Sequence, residues 1–322
     1  LPPTAPPNTS GPKMPGARRQ RWRKMKAGDI PAAEALLKSA ERFCMNACAR
    51  YISRKAQKGE VWTLRGESSE MSALLVHARK GLLPVSRLDG PGAPHSDAPR
   101  FPAPHFLRGL FGAGARDIYS LQGREEDALA MEAQMEKIGM LAAEKIDFDL
   151  MCIDRQPGGF RAAGPAGLAI RKPRLADMDR LAELRAAYEK EEVLSADRAL
   201  CAGNERGADR ERRLAASRMR MEQIFASEQM LVAELGGQLI GKINTNAAAF
   251  TRCQVGGVYV HPDFRGMGIA RRMAGEFVAG LVAQGLGISL FVKKSNPAAR
   301  RVYRNIGFET VGSYRINYYR KG

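Results

Sequence analysis

The sequence predicts a mixed α/β protein, an α+β arrangement with a mixed sheet, divided into two domains. Three observations lead there. A chain of 322 residues fits about two ordinary domains, each with its own core. Short strand-like runs and 3.6-periodic runs intermix in the C-terminal half, with a hairpin among them. Finally, "RKMKAGDIPAAEALL" from Arg23 is echoed by "RKPRLADMDRLAELR" from Arg171.

In that echo Arg23, Lys24, Lys26, Asp29, Ile30 and Leu36 fall opposite Arg171, Lys172, Arg174, Asp177, Met178 and Leu184. Each copy has a short basic segment, an Asp placed to cap a helix, and an apolar-periodic run. The repeat predicts two copies of one fold. Two Pro/Gly-rich stretches interrupt the chain, 89–106 and 155–169, and a strand-then-helix pattern starts right after the second. The expected division is therefore a disordered basic, Pro-rich tail at 1–20, an N-terminal domain at 21–154, a linker at 155–167 and a C-terminal domain at 168–322. Met14 or Met25 would be the more natural start of the folded protein.

In the N-terminal half, "EVWTLRGESSEMSALLVHARKGLLPV" reads as a strand pair, and "IYSLQGREEDALAMEAQMEKIG" as a strand followed by a helix. His77 in the first reads as a strand residue rather than a catalyst, and His95 and His105, without carboxylate or Cys at ligand spacing, read as loop residues. In the C-terminal half a strand near 168–173 leads to a helix from about Asp177, then to a second helix, "RERRLAASRMRMEQIFAS". Two strand runs flank Gly236-Gly237, a pair suited to a tight hairpin. The strand "VGGVYV" follows, then a glycine turn, a helix from about Ile269 to Gln284, the strand "ISLFV", the helix "NPAARRVYRNIG" and the alternating tail "ETVGSYRINYY".

Composition narrows the partners. With 51 Lys and Arg against 34 Asp and Glu, the formal charge is +17, which favours phosphate-bearing cofactors, nucleic acid or an anionic surface. No run reaches the roughly 18 apolar residues of a membrane span, and the N-terminal tail has no apolar core of a secretory signal. Five cysteines, an odd number, do not form a disulfide or zinc pattern, so a reducing cytoplasm is the expected home, with no metal. Cys44 and Cys48 fall on one face of a helix and read as core.

Motifs remain. "GGQLIGKI" has the glycine and lysine spacing of a phosphate loop, but Ile243 stands where a hydroxyl must hold Mg²⁺. "GMGIAR" lacks the third glycine and the ribose-binding acid of a dinucleotide fingerprint. His261, alone before Pro262, reads as a strand-end residue. What survives is the turn's backbone: successive N–H groups at a helix start, with Gly266 and Gly268 leaving room for a pyrophosphate.

At this point the residues carry a resemblance. "RGMGIA", with Arg265, Gly268 and Ala270, resembles the R/Q-x-x-G-x-G/A signature of the GNAT superfamily of N-acyltransferases, and "NPAARRVYRNIGF" resembles the Asn, Ala, Tyr and Gly-Phe series that follows the next strand there. The resemblance covers about 168–322. It implies that acetyl-CoA lies in a splayed sheet, with its pantetheine arm paired to the amides of Val258 and Val260. Its pyrophosphate would lie on Arg265, Gly266, Met267, Gly268, Ile269 and Ala270, with Asn296 as a further contact. It implies Tyr303 as general acid for the departing thiolate. For the base, Glu191, Glu192 and Tyr259 stand as candidates, with Glu192 preferred.

The N-terminal "LRGLFGAGARD" departs from the signature spacing, and no second Asn, Tyr, Gly-Phe helix follows, so this half is expected to be a degenerate copy without acetyl-CoA of its own. The tandem layout resembles that of mycothiol-synthase-like acyltransferases. The expected function is acetyl transfer from acetyl-CoA to a primary amine, of a small molecule or a protein. The alternative is a basic nucleic-acid- or ribosome-associated protein with a vestigial site; aromatic residues are not interleaved with its basic runs as a stacking platform requires.

Overall fold

The computed structural model describes residues 22–54, 59–65, 70–78, 80–88, 101–111, 118–157, 164–193 and 207–319. The expected tail, His95 and most of the glycines of "LRGLFGAGARD" lie outside them. The N-terminal half contains β1 (Arg23–Lys24), α1 (Ile30–Ala40), α2 (Met45–Ile52), β2 (Glu60–Arg65), β3 (Met71–Ala78), β4 (Gly81–Ser86), α3 (Pro104–Phe111), β5 (Ser120–Arg124), α4 (Glu125–Glu136) and β6 (Glu144–Ile153). The C-terminal half contains β7 (Ala169–Arg171), α5 (Met178–Tyr188), α6 (Gly207–Ser227), β8 (Met230–Leu235), β9 (Gln238–Ala248), β10 (Arg252–Val260), α7 (Ile269–Val282), β11 (Gly287–Lys293), α8 (Pro297–Ile306) and β12 (Glu309–Tyr318).

All these strands form one 12-stranded sheet in the order β1-β2-β3-β4-β5-β12-β6-β11-β10-β9-β8-β7. The order is a palindrome of the two halves with one exchange. After β5 comes the last strand of the C-terminal half, and beside β11 lies the last strand of the N-terminal half. β6 pairs with β11 from Ile288↔Ile153 to Lys293↔Phe148, and β12 pairs with β5 from Tyr314↔Arg124 to Tyr318↔Ser120. A cut at 155–167 thus separates the chain but not the sheet. A buried glutamate joins the halves again: Glu41 accepts hydrogen bonds from the amides of Thr251 and Arg252 and from the Thr251 hydroxyl.

The repeat read in the sequence has a physical counterpart. Arg23 makes a bidentate pair with Asp29, and Arg171 makes one with Asp177, six residues on in each case. The guanidinium holds each carboxyl below its usual range. One detail differs from expectation. Neither Asp caps its helix; each carboxylate turns back to the amide of Lys26 or Arg174 and closes a short 3₁₀ turn ahead of the helix.

One further expectation changes. The N-terminal strand pair is three strands, because Lys80, at φ 63, turns the chain tightly between β3 and β4. Cys44 and Cys48 are buried as expected, Cys44 at the N-cap of α2 and Cys48 one turn on, with their sulfurs 3.6 Å apart. The C-terminal hairpin closes as read, with Gly236 and Gly237 at φ 58 and 79. Around β8–β11, α7 and α8 cover one face with Met273, Phe277 and Ile306. The opposite face packs against α5 and α6 through Leu181, Leu184 and Ile224.

Candidate active site

β10 and β11 run parallel and pair only at Arg252↔Gly287, Cys253↔Ile288 and Gln254↔Ser289. Beyond Gln254 the register of β10 against β9 shifts twice, between Gln254 and Val255 and again between Gly256 and Tyr259. This is a bulge, which bends a strand and increases its twist. Gly257 sits in it at φ 59, where a Cβ would stand 2.3 Å from Asn244 Oδ1, so only glycine fits. The strands splay from there, and a cavity of 110 Å³ opens between Val255–Val258 of β10 and Phe291–Lys293 of β11.

Alternation decides what β10 offers this gap. His261 N–H donates to Ile240 O of β9, so Val258 and Val260 direct their backbone groups to the other edge, toward the splay. Next, a 3₁₀ turn at Pro262–Phe264 brings the chain to Arg265, and Gly268 at φ 78 starts α7. The first intrahelical bond of α7 is Arg272 N to Gly268 O, so the amides of Ile269, Ala270 and Arg271 precede it and point outward. Gly266, at φ 80, has no atom within 4 Å of where a Cβ would stand. Met267 is exposed at this turn, whereas the Ile269 side chain is in the core and only its backbone faces the turn.

The Arg265 side chain does not reach out over the turn. Its Nε donates to Val260 O at 2.9 Å, its Nη2 to Glu191 Oε2 at 2.7 Å, and the guanidinium lies 5.3 Å over the Tyr259 ring. Glu191 also accepts from Tyr259 Oη at 2.8 Å. Burial first, then that bond, pushes the Tyr259 phenol up to about 12. A proton held so firmly makes Tyr259 a poor base, and Glu191 is committed to fastening Arg265.

Glu192 is the carboxylate that faces the cavity. It follows α5 on a π-turn at Glu189–Val193, accepts from Asn296 Nδ2 at 3.2 Å, and stands 3.8 Å from Lys293 Nζ. Asn296 also caps α8, its Oδ1 accepting from Ala299 N at 3.0 Å. Tyr303 lines the same cavity from α8 and packs edge-on against Phe308. Burial, then the nearby Tyr188 and Glu192, pushes its phenol above the usual range. His261 packs against Phe264 at the strand end, and His77 lies on β3 beside Trp62.

Two residues of the site escape sequence reasoning. Tyr188, at the end of α5, lines the cavity; burial and then Glu192 raise its phenol, and the Gly257 N–H is directed at its hydroxyl. Lys242, the lysine of the discarded phosphate-loop pattern, is fully buried, with Nζ donating to Gly257 O at 2.9 Å and lying 5.1 Å over the Tyr188 ring. Burial, and next the Arg185 charge, pulls it down to about 7, while Glu189 acts the other way. The bulge is thus gripped from both sides of Gly257. A lysine inside the short apolar run from Leu239 to Ile243 is the available signal.

In the N-terminal half the corresponding gap is filled. β4 and β5 pair only at Gly81↔Ser120 and Leu82↔Leu121. Beyond that point, Arg124 Nη2 donates to Ser86 Oγ at 2.7 Å, and the buried Asp127 accepts from Ser86 Oγ at 2.6 Å and from the Ser86 amide at 3.3 Å. The edge amide that is open on β10 is taken on β4 by a side chain. Among the described residues no group of three or more His, Cys, Asp or Glu could hold a metal, and no helix is long and apolar enough to cross a membrane.

The comparisons agree with this geometry. Residues 197–308 match the acetyltransferase (GNAT) family. An acetyltransferase of Pectobacterium atrosepticum is 35% identical over 85 residues, 25% of this chain; the match spans 57% of that protein's length. A GCN5-related N-acetyltransferase from Sphaerobacter thermophilus superposes with TM-score 0.53 at 18% identity, over 93% of this chain and 95% of that one. A tandem GNAT protein from the clavulanic acid biosynthesis pathway does so with TM-score 0.50 at 14% identity, over 93% of this chain and 98% of that one. These likenesses, which run through both halves, show the fold. Residues 197–308, about a third of the chain, thus match the acetyltransferase (GNAT) family, and the chain as a whole shares its two-part fold with the tandem GNAT protein.

Proposed function

We propose that the protein is an acetyl-CoA-dependent N-acetyltransferase acting on a primary amine, and that only its C-terminal unit, 168–322, holds the cosubstrate. The observation that carries this reading is the loss of pairing between β10 and β11 after Gln254 and Ser289, beside a helix start whose glycines leave its amides open. The residues fit the ligand. Val258 and Val260 would take the amide groups of the pantetheine arm, and the backbone of Gly266 to Ala270 the pyrophosphate. Arg265 would act through the turn, fixing it to β10 and Glu191.

Acetyl-CoA supplies the acyl group as a thioester. The acceptor nitrogen forms the amide bond as the thioester C–S bond breaks; of the two protons an ammonium loses, one leaves through a carboxylate to solvent and one ends on the thiol. Glu192, held by Asn296, would take the first. Tyr303, kept protonated by burial, would give the second, and Tyr188 faces the same space. Tyr188 and Lys242 keep the bulge amides in place. The N-terminal unit, 21–154, contributes β6 and no second cosubstrate site. A cytoplasmic location suits this chemistry.

A nucleic-acid-binding role draws support only from the +17 charge. The deciding experiment is a calorimetric titration with acetyl-CoA. Micromolar binding that Gly268→Asp abolishes supports the enzyme reading, and no binding by the intact protein overturns it and leaves RNA as the ligand to titrate.

A further inference from the structure

The cavity between the splayed strands has an outer wall that the reaction itself leaves unexplained. Leu290 and Val292 of β11 lie in the core beneath α7 and α8, so by alternation Phe291 and Lys293 face the opposite side of the sheet. Lys293 pairs in register with Phe148 of β6, which puts Phe148 on that same side. The acidic neighbours of Phe148 lie on the other side, each with an arginine: Asp149 with Arg300 of α8, Asp147 with Arg315 of β12. Among the described residues the cavity is lined by one carboxylate, Glu192, and one ammonium, Lys293, and, besides Tyr188 and Tyr303, by the rings of Phe148 and Phe291.

The two charges form a loose ion pair without a hydrogen bond between them. At 3.8 Å, Lys293 Nζ and Glu192 Oε2 are neighbours beyond hydrogen-bond distance, so each can still bond a ligand group of opposite sign. The rings are set: Phe291 stacks on Tyr314 with centroids 4.0 Å apart, and the Phe148 ring stands 6.3 Å from Phe291. Glu191 is occupied by Arg265 and Tyr259 and offers no second acid for a polycation.

Building on the acetyltransferase reading, we propose that the acceptor is a small zwitterion, a primary amine with a carboxylate on the same or the adjacent carbon and an apolar body. Its ammonium bonds Glu192, its carboxylate bonds Lys293, and its apolar body lies against Phe148 and Phe291. The strand exchange acquires a role from this: the N-terminal half supplies, through β6, a wall of the acceptor site. A polyamine would place a further cation against Lys293.

The test is calorimetry in the presence of CoA, titrating L-phenylalanine, phenethylamine, glycine and spermidine, with thiol release from acetyl-CoA followed in parallel. L-Phenylalanine is expected to bind and react about tenfold better than phenethylamine, the worth of one charge-assisted hydrogen bond. Lys293→Met should erase that preference, Lys293→Arg should keep it, and Phe148→Ala should weaken phenylalanine but not glycine. Phenethylamine or spermidine serving as well as phenylalanine, a preference that survives Lys293→Met, or no response to any amino acid would overturn the proposal. An acetyl-CoA titration of the same samples separates the cases: unchanged acetyl-CoA affinity confines a failure to the acceptor, and no acetyl-CoA binding removes the parent reading too.

Discussion

The two halves open the same gap in the same sheet and treat it oppositely. On the C-terminal side, β10 leaves β11 after Gln254 and keeps the Val258 and Val260 amides on a free edge. On the N-terminal side, β4 leaves β5 after Leu82, and Asp127, Arg124 and Ser86 close the space with a buried charged network. The glycine bulge differs as well, since Gly257 needs Lys242 and Tyr188 to hold it, and β4 against β3 runs in unbroken register. If the C-terminal slot takes acetyl-CoA as proposed, a repeated fold loses a ligand site by gaining side chains in the slot rather than by losing the slot.

The largest expected effect comes from Gly268→Asp. It forces an L side chain to φ 78 and sets a carboxylate where a pyrophosphate belongs, so acetyl-CoA affinity should fall by about 100-fold or more, read by calorimetry. Tyr303→Phe should lower kcat by about 100-fold with acetyl-CoA affinity kept; an unchanged rate would pass the acid role to Tyr188. Asp127→Ala takes its carboxylate partner from the part-buried Arg124 guanidinium and leaves the Ser86 amide unbonded, and should cost about 2 kcal/mol in denaturant unfolding without creating a second acetyl-CoA site. A gain in stoichiometry there would mean that the plug alone silences the N-terminal half.

A pH dependence sharpens the contrast of the bulges. Lys242 binds its proton more weakly in the folded protein than its ordinary value of 10.5, at about 7, so the unfolded chain holds the extra proton between those limits. Wild-type stability should therefore rise with pH across that window. Thermal melts of Lys242→Met should lack this rise. A variant with the same pH dependence would show that the lysine is not the titrating group.

Much of this was legible from local pattern. The hairpin at Gly236-Gly237, the Gly268 helix start and the Asn296 cap are set by neighbours within a few residues, and each stands where the sequence placed it. The Arg–Asp echo suggests a helix cap because spacing shows which residues recur, not which way a carboxylate turns. Long-range pairing was not legible. β6 alternates weakly before its apolar run, and nothing local says that Phe148 will lie beside Lys293, more than one hundred residues away. Lys242 and Tyr188 escaped for the same reason, since their role depends on a carbonyl and an amide of Gly257 brought in by another strand.

The most direct test of the central claim, that one half binds and the other is sealed, is the stoichiometry of acetyl-CoA binding by calorimetry on the full chain and on Gly268→Asp. The expected result is one acetyl-CoA per chain, lost in the variant. Two per chain, or one that persists in Gly268→Asp, would contradict it.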